Sequence, residues 1–265
     1  FLQQWDGLAD EALEDAIYDS QAMRDFVGID LSIESVPDAT TLLRFRHLLE
    51  RHSLTQRIFE EINASLAERG LFMREGTIVD ATIIAAAPST KNKAKQRDPA
   101  MKQTRKGNQW YFGMKAHIGV DAATGLTHSL VATSANQADI TVAEQLLRDD
   151  KEPIYADAGY TGLGKRLCGD DDTLPPLRIA ARRSTIKKME DGPEKQILQR
   201  IEHCKASIRA KVEHPFHVIK NLFGHRKVRY RGMEKNQAQL FSLFALANLV
   251  LAKRCYAVTD GVIAS

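Results

Sequence analysis

Apolar positions recur first at helical spacing and then at strand spacing along the chain. Leu8, Ala12, Leu13, Ala16, Ile17, Met23, Phe26 and Val27 fall on one helical face, which predicts a helix over residues 8–28 stopped by Gly28. Asp38 stands where an N-cap belongs, ahead of an apolar stripe of Leu42, Leu43, Phe45, Leu48 and Leu49. A third helix spans Thr55–Arg69 and closes at Gly70. Residues 1–70 therefore read as an N-terminal helical region.

After Gly70 the period changes. Thr77–Ala86, TIVDATIIAA, is an apolar, β-branched run with the composition of a strand covered on both faces. Pro88–Asn108 is polar, basic and aperiodic, which predicts a long mobile loop. Trp110–Asp121 alternates: Trp110, Phe112, Met114, Ala116, Ile118 and Val120 share one face, and Tyr111, Lys115, His117 and Asp121 the other. That is the pattern of a half-buried strand. A turn at Asp121–Gly125 leads to a third strand, Leu126–Thr133, so the three form an antiparallel meander. Asp139 is placed to cap a helix over Ile140–Arg148, and a fourth strand, Pro153–Asp157, follows it. A strand–helix–strand step of this length implies a parallel crossover. A short helix within Leu163–Asp172, a fifth strand at Pro176–Ala181 and a charged loop at Arg182–Gly192 come next. A long helix starts near Glu194 and carries Ile197, Leu198, Ile201, Ile208 and Val212. Pro215 should kink it just after Glu213, since proline lacks a backbone donor and disfavours helix at the residue before it. A strongly apolar helix around Leu240–Leu251 should cover the sheet, and residues 257–265 form a patternless tail. The fold class is α/β: a mixed five-stranded sheet flanked by helices over residues 71–256, behind the N-terminal helical region.

Composition narrows the setting. No run of about 18 apolar residues is present, so no membrane span is predicted. FLQQWDGLAD does not resemble a signal peptide, and a start at Phe1 rather than Met leaves room for an upstream piece. The three cysteines, Cys168, Cys204 and Cys255, are far apart, which indicates neither a disulfide framework nor a zinc site and suits a reducing cytoplasm. Charge is segregated. Residues 1–40 hold ten acids against Arg24 alone, whereas residues 91–106 hold seven bases against Asp98, and residues 205–231 eight bases against Glu213. Two basic clusters point to a polyanionic partner.

Three carboxylates stand out. Asp80 sits in the middle of the first strand, where an unpaired charge costs several kcal/mol and needs a cation, a hydrogen-bond cage or an opening to solvent. Asp157 ends the fourth strand, ahead of Ala158–Gly159. Each alone also reads as a strand cap; together they suggest a shared metal site. At 100° per residue, Glu213 lies about 40° round from Arg209, and Lys220 about 20° back from Glu213, so all three share a face if the helix continues. Taken alone, Arg209–Glu213 is equally an i, i+4 surface pair.

The order of strands, helices and carboxylates resembles the ribonuclease H-like fold of DDE transposases and integrases. RAKVEHPFHVIK, from Arg209 to Lys220, is similar to the arginine–glutamate–lysine signature of insertion-sequence transposases, with matching gaps of three and six residues. VDATII around Asp80 and YADAGY around Asp157 look like their two aspartate motifs. KAHIGVDAATG and LADEALEDAIYDSQAMRDFVGIDL also resemble the insertion sequence 5 family. One departure is Ala206, where that signature usually carries a tyrosine.

The resemblance implies a bacterial transposase that cleaves DNA at transposon ends and transfers the strand into target DNA. Asp80, Asp157 and Glu213 would be the catalytic residues and the ligands of Mg2+ (or Mn2+), with two ions. Two hard ions can bind the entering and leaving oxygens of a phosphodiester, and magnesium keeps enough waters that two or three carboxylates suffice. Arg209 and Lys220 would hold phosphates beside them. Lys91, Lys93, Lys95, Arg97, Lys102, Arg105, Lys106, Arg226, Lys227, Arg229 and Arg231 are candidate DNA backbone contacts. Trp110 belongs to the core or stacks on a base, and His214, His217 and His225 read as ordinary polar or phosphate-contact residues. The implied partners are double-stranded DNA, as transposon ends and target, and further copies in a homodimer or higher assembly. The implied setting is the bacterial cytoplasm at the nucleoid. Residues 1–70 would serve dimerisation or end binding. Rival readings are a ribonuclease H-like nuclease that cuts without joining and a DNA-binding protein derived from a transposase.

Overall fold

The computed structural model describes residues 1–93, 95–148, 151–167 and 174–263, with the backbone alone for 254–263. Five helices come first: α1 Leu2–Trp5, α2 Asp10–Asp19, α3 Gln21–Val27, α4 Ala39–Arg51 and α5 Leu54–Glu68. The single helix expected over residues 8–28 is two. Ser20 leaves helical geometry at φ −105° and ψ 113°, and its hydroxyl caps α3 by accepting the Met23 N–H at 3.3 Å. Asp38 caps α4 as expected, accepting the Thr41 N–H at 2.6 Å. Leu13, Ile17 and Val36 form a small core here, and Arg46 donates to Asp10 at 2.6 Å to tie α4 to α2.

The sheet has six strands: β1 Thr77–Ala85, β2 Lys102–Lys106, β3 Gln109–Asp121, β4 Thr127–Ser134, β5 Ile154–Ala156 and β6 Leu177–Ile179. β3 pairs antiparallel with β1, β4 and β2, whereas β1–β5 and β5–β6 are parallel. The five expected strands are present, and β2 is an addition inside the stretch read as a mobile loop. Its sequence, KQTRK, has no apolar residue to betray a strand; it is held by backbone pairing to the start of β3 across a Gly107–Asn108 turn. The segment just ahead of it is anchored too. Met101 is buried, and the Asp98 carboxylate accepts the Gly232 N–H at 2.7 Å. β3 is not half-buried along its length. From Gly113 onward it lies between β1 and β4 with layers on both faces, so His117 and Asp121 are buried as well. A Cβ at Gly113 would stand 2.1 Å from the Ile84 carbonyl oxygen, which is why glycine occupies that crossing.

The crossover from β4 to β5 is two 3₁₀ turns, Asp139–Thr141 and Ala143–Leu146, and not the expected helix. Asp139 does not cap it, because its carboxylate accepts from Lys115 Nζ at 2.8 Å instead. α6, Leu163–Leu167, is the short helix expected within Leu163–Asp172; residues 168–172 lie outside the described residues. α7, Arg183–Lys187, occupies the charged loop, and α8, Pro193–Arg209, is the long helix. A 3₁₀ turn at Ala210–Val212, α9 at Glu213–His217 and a π-helical turn at Val218–Leu222 continue it. The backbone stays right-handed helical from Arg209 to Val218, so the expected kink is a change of winding, tight before Glu213 and wide after His217. α10, Met233–Ile263, runs past Tyr256 into the expected tail.

Adjacent residues of β1 feed opposite cores. Ile78 and Ile84 join Met114, Ile118, Phe216, Ile219, Leu240 and Phe244 on one face, and Val79 joins Leu146, Ile154, Tyr160 and Leu163 on the other. α5 docks on α10 through Phe59 and Phe241, whose ring centroids are 5.7 Å apart. Buried Asn248 completes that seam: it accepts the Thr127 N–H at 2.8 Å and donates to the Thr127 carbonyl and to Asn63, each at 2.7 Å. A mixed sheet covered on both faces, behind an N-terminal helical region, is consistent with a ribonuclease H-like fold.

Candidate active site

Strand pairing brings the two aspartates together. Thr77 pairs with Ile154 and Ile78 with Tyr155; Asp80 and Asp157 each stand two residues beyond the second pair, and the Asp157 charge acts on Asp80. Each turns one oxygen to its own backbone. Asp80 Oδ1 accepts the Ala81 N–H at 2.7 Å, and Asp157 Oδ1 accepts the Gly159 N–H at 2.8 Å, capping the turn Ala158–Tyr160. Burial pushes the Asp80 carboxyl up to about 6; the Ala81 N–H and Arg209 oppose the rise, while Asp157 and Glu213 add to it. Asp80 therefore feels three of the four residues that the sequence groups with it, Asp157, Arg209 and Glu213.

Glu213 and Lys220 line one cleft of about 470 Å³, together with Thr82, Tyr111 and Arg226. Lys220 Nζ donates to Thr82 Oγ1 at 2.6 Å. Thr82 is two residues beyond Asp80 and so on the same face of β1. Burial lowers the Lys220 pKa, Lys106 and Arg226 lower it further, and Glu213 acts against them. The helical change of winding thus carries Lys220 to the face of the sheet that bears Asp80.

The expected DNA contacts separate into groups. Arg226 lines the cleft and donates to Asn221 and to the Lys220 carbonyl. Backbone bonds between Ala85 and residues 226 and 228 hold it, with Lys227, at the end of β1. Arg229 lies elsewhere, close enough to Asp10 of α2 to lower its pKa, and Arg231 is exposed beyond it. Lys102, Arg105 and Lys106 project from β2, while Lys91, Lys93 and Lys95 are exposed ahead of it; the Arg97 guanidinium lies 5.4 Å from the centroid of Phe112. Trp110 is not in the core: it is 64% exposed and paired with Arg105 across the β2–β3 hairpin. His225 is no phosphate contact, being 1% exposed, whereas His214 and His217 stay at the surface.

Comparison with protein families agrees with this geometry. The pattern of the family described as Transposase DDE domain matches residues 71–249, and that of Transposase domain (DUF772) matches residues 1–48. The chain belongs to the DDE transposases. No solved structure gives a significant match to it. Membership makes it a transposase in general terms, an enzyme that binds DNA and belongs to a family using divalent metal ions. No helix among the described residues is long and apolar enough to cross a membrane.

The donors of this transposase suit a hard cation in chemistry and only partly in position. Asp80 is a partly buried acid whose pKa is raised first by desolvation and then by Asp157 and Glu213, a repulsion that a cation would relieve. The Tyr160 hydroxyl, near the same carboxylates, is buried without a hydrogen-bond partner. Yet among the described residues no three His, Cys, Asp or Glu side chains stand close enough to hold an ion. Asp80 and Asp157 supply the fit, and Glu213, exposed at the start of α9, stands off from them.

Sequence reasoning did not single out Thr82, Tyr111, Tyr160 or the cluster of Lys115, His117 and Asp139. Thr82 was within reach, from its period-two relation to Asp80. The cluster was not, since Asp139 is brought to β3 only by the crossover; there Lys115 donates to it, and His117 Nδ1 lies 3.6 Å away.

Proposed function

We propose that this transposase is of the insertion sequence 5 type and that it hydrolyses DNA at transposon ends and then transfers the freed strand. Water attacks the scissile phosphodiester and releases a 3′ hydroxyl; that hydroxyl attacks a target phosphodiester and displaces its 3′ oxygen. What supports the reading is that Asp80 and Asp157 each stand two residues past the last β1–β5 pair, with Asp157, Arg209 and Glu213 all acting on the Asp80 carboxylate. Asp80 and Asp157 would hold the divalent metal, magnesium or manganese as a pair of ions, and Glu213 would close on it from α9. When bound, such ions activate the attacking oxygen and neutralise charge on the phosphoryl group. Arg209 favours the ionised form of Asp80 and grips a phosphate as a fork; Lys220, braced on Thr82, supplies a point charge. The β2–β3 hairpin tracks the DNA backbone through Lys102, Arg105 and Lys106, with Trp110 placed to stack on a base.

Two DNA ends call for more than one copy. The acidic helical region, with Phe26, Ile33 and Phe45 exposed, is the proposed site of that assembly. The proposed setting is the bacterial cytoplasm at the nucleoid, where the DNA is. The test is an assay of end cleavage and strand transfer by the parent and by Asp80→Asn, Asp157→Asn and Glu213→Gln. Joining that each variant loses, with binding intact, supports the reading. Cutting without joining makes the protein a nuclease, and binding alone makes it a transposase-derived DNA-binding protein.

A further inference from the structure

Beyond α9 the chain carries three side chains joined by hydrogen bonds, and one of them opens on the cleft. Arg226 Nε donates to the Lys220 carbonyl at 3.1 Å, and its Nη2 donates to Asn221 Oδ1. Asn221 lies in the π-helical turn, and its Nδ2 stands 2.8 Å from His217 Nδ1. His217 comes one turn after Glu213 and lines the same cleft as Glu213 and Lys220. The sequence leaves this histidine between a plain polar role and a phosphate contact; the hydrogen bonds decide between them.

Donors and acceptors allow one arrangement here. A guanidinium only donates, so the oxygen of Asn221 is the atom that faces Arg226. The amide nitrogen then faces His217, and it too only donates. His217 Nδ1 is therefore the acceptor and carries no proton. An imidazole with one bare nitrogen holds its proton on the other, so the ring presents an uncharged Nε2–H donor. We propose that His217 grips a DNA phosphate in the cleft through Nε2–H, and that Asn221 and Arg226 are positioning residues that hold the ring in this tautomer. The inference rests on the reading of this cleft as the seat of the cleaved DNA. Lys220 supplies charge there, braced on Thr82. His217 supplies a directed bond without displacing a further counterion.

The test has two arms, both on the whole chain. The first reads the tautomer without DNA or metal, from long-range 1H–15N correlation spectra of the histidine rings. His217 is assigned by its absence in His217→Phe. The parent should carry the proton on Nε2, and Asn221→Asp should move one to Nδ1, because a carboxylate only accepts. A parent ring protonated on Nδ1 overturns the assignment. The second arm is single-turnover cleavage of an end-containing duplex, with binding measured in Ca2+ at several salt concentrations. His217→Phe should cleave about tenfold more slowly, the usual worth of a hydrogen bond to a charged group. Its salt slope should match the parent's, whereas Lys220→Ala should lower the slope by about 0.9. His217→Gln places an amide nitrogen where Nε2 stood and should recover most of the loss. His217→Asn reaches only the Nδ1 position and should not. A merely structural histidine would not sort the two amides in that way, so equal behaviour of the two refutes the inference. A slope that falls in His217→Phe refutes the neutral donor. If Lys220→Ala and His217→Phe both cleave at the parental rate, the reading of the cleft falls and this inference with it. If Lys220→Ala alone is slowed, the inference alone falls.

Discussion

Asp80→Asn should stabilise the metal-free protein at neutral pH while abolishing cleavage. The folded Asp80 carboxyl is raised to about 6 from an ordinary 3.8, chiefly by burial. Between those values the folded state holds a proton that the unfolded chain has released. Stability therefore falls as pH rises through this window and levels off above it. A rise of about two units, at about 1.4 kcal/mol each, makes the ionised side chain a cost of roughly 3 kcal/mol at pH 7.5. Asparagine removes the charge but leaves an amide to satisfy, so the expected gain is about 1–3 kcal/mol. The assay is urea unfolding of parent and variant in chelator from pH 4 to 8. The difference should be small at pH 4, open as pH rises and reach its full size by pH 7. Buried His117, His128 and His225 titrate in both proteins and cancel in that difference. Saturating Mg2+ should reverse the order, because only the parent gains binding energy from the ion. A difference that stays flat with pH, or a variant less stable than the parent at pH 7.5, refutes the idea that Asp80 is a strained, uncompensated charge.

Lys220→Ala should lower single-turnover cleavage and joining more than it lowers end binding in Ca2+, with Lys220→Arg restoring only part; equal losses of binding and cleavage would take Lys220 out of the active cleft. Replacing Lys102, Arg105 and Lys106 by serine should weaken binding to all DNA sequences alike and reduce the salt slope by about 0.9 per lost phosphate contact, whereas Trp110→Ala should cost about 1–3 kcal/mol of DNA binding at an unchanged slope. His225 is held neutral by burial, its pKa lowered to about 4, so stability should be lost as pH falls from about 6.5 toward 4. Urea midpoints of His225→Phe should lose that acid sensitivity without loss of stability at pH 7, as both ring nitrogens lack partners.

What could be read from the sequence divides along a physical line. Elements with a clear apolar period or an unbroken β-branched run were legible: α4, α5, β1, β4, β5 and α8 lie close to where the sequence pattern puts them. β2 was not, because KQTRK buries nothing and owes its conformation to the backbone of β3 alone. Trp110 was misplaced for a related reason. The alternation of β3 continues out to it, but the covering layers do not, so a residue in phase with the core ends on a bare hairpin. In the crossover the expected cap, Asp139, pairs with a lysine on another strand, and the chain winds as two 3₁₀ turns.

The candidate site shows the same division. Asp80 and Asp157 could be paired from sequence because a carboxylate in a buried strand demands compensation wherever that strand runs. Their distance apart could not be read so directly: it depends on the parallel register of β1 and β5, two pairs of residues long, held in place by the packing of both cores. Glu213 adds a further condition, since its approach depends on how tightly the chain winds between Ala210 and Leu222. Asp157 and Glu213 both act on Asp80, yet among the described residues the three carboxylates do not form a cage. That arrangement follows from their charge. Carboxylates brought together repel one another, and Asp157 and Glu213 both add to the rise that burial gives the Asp80 pKa.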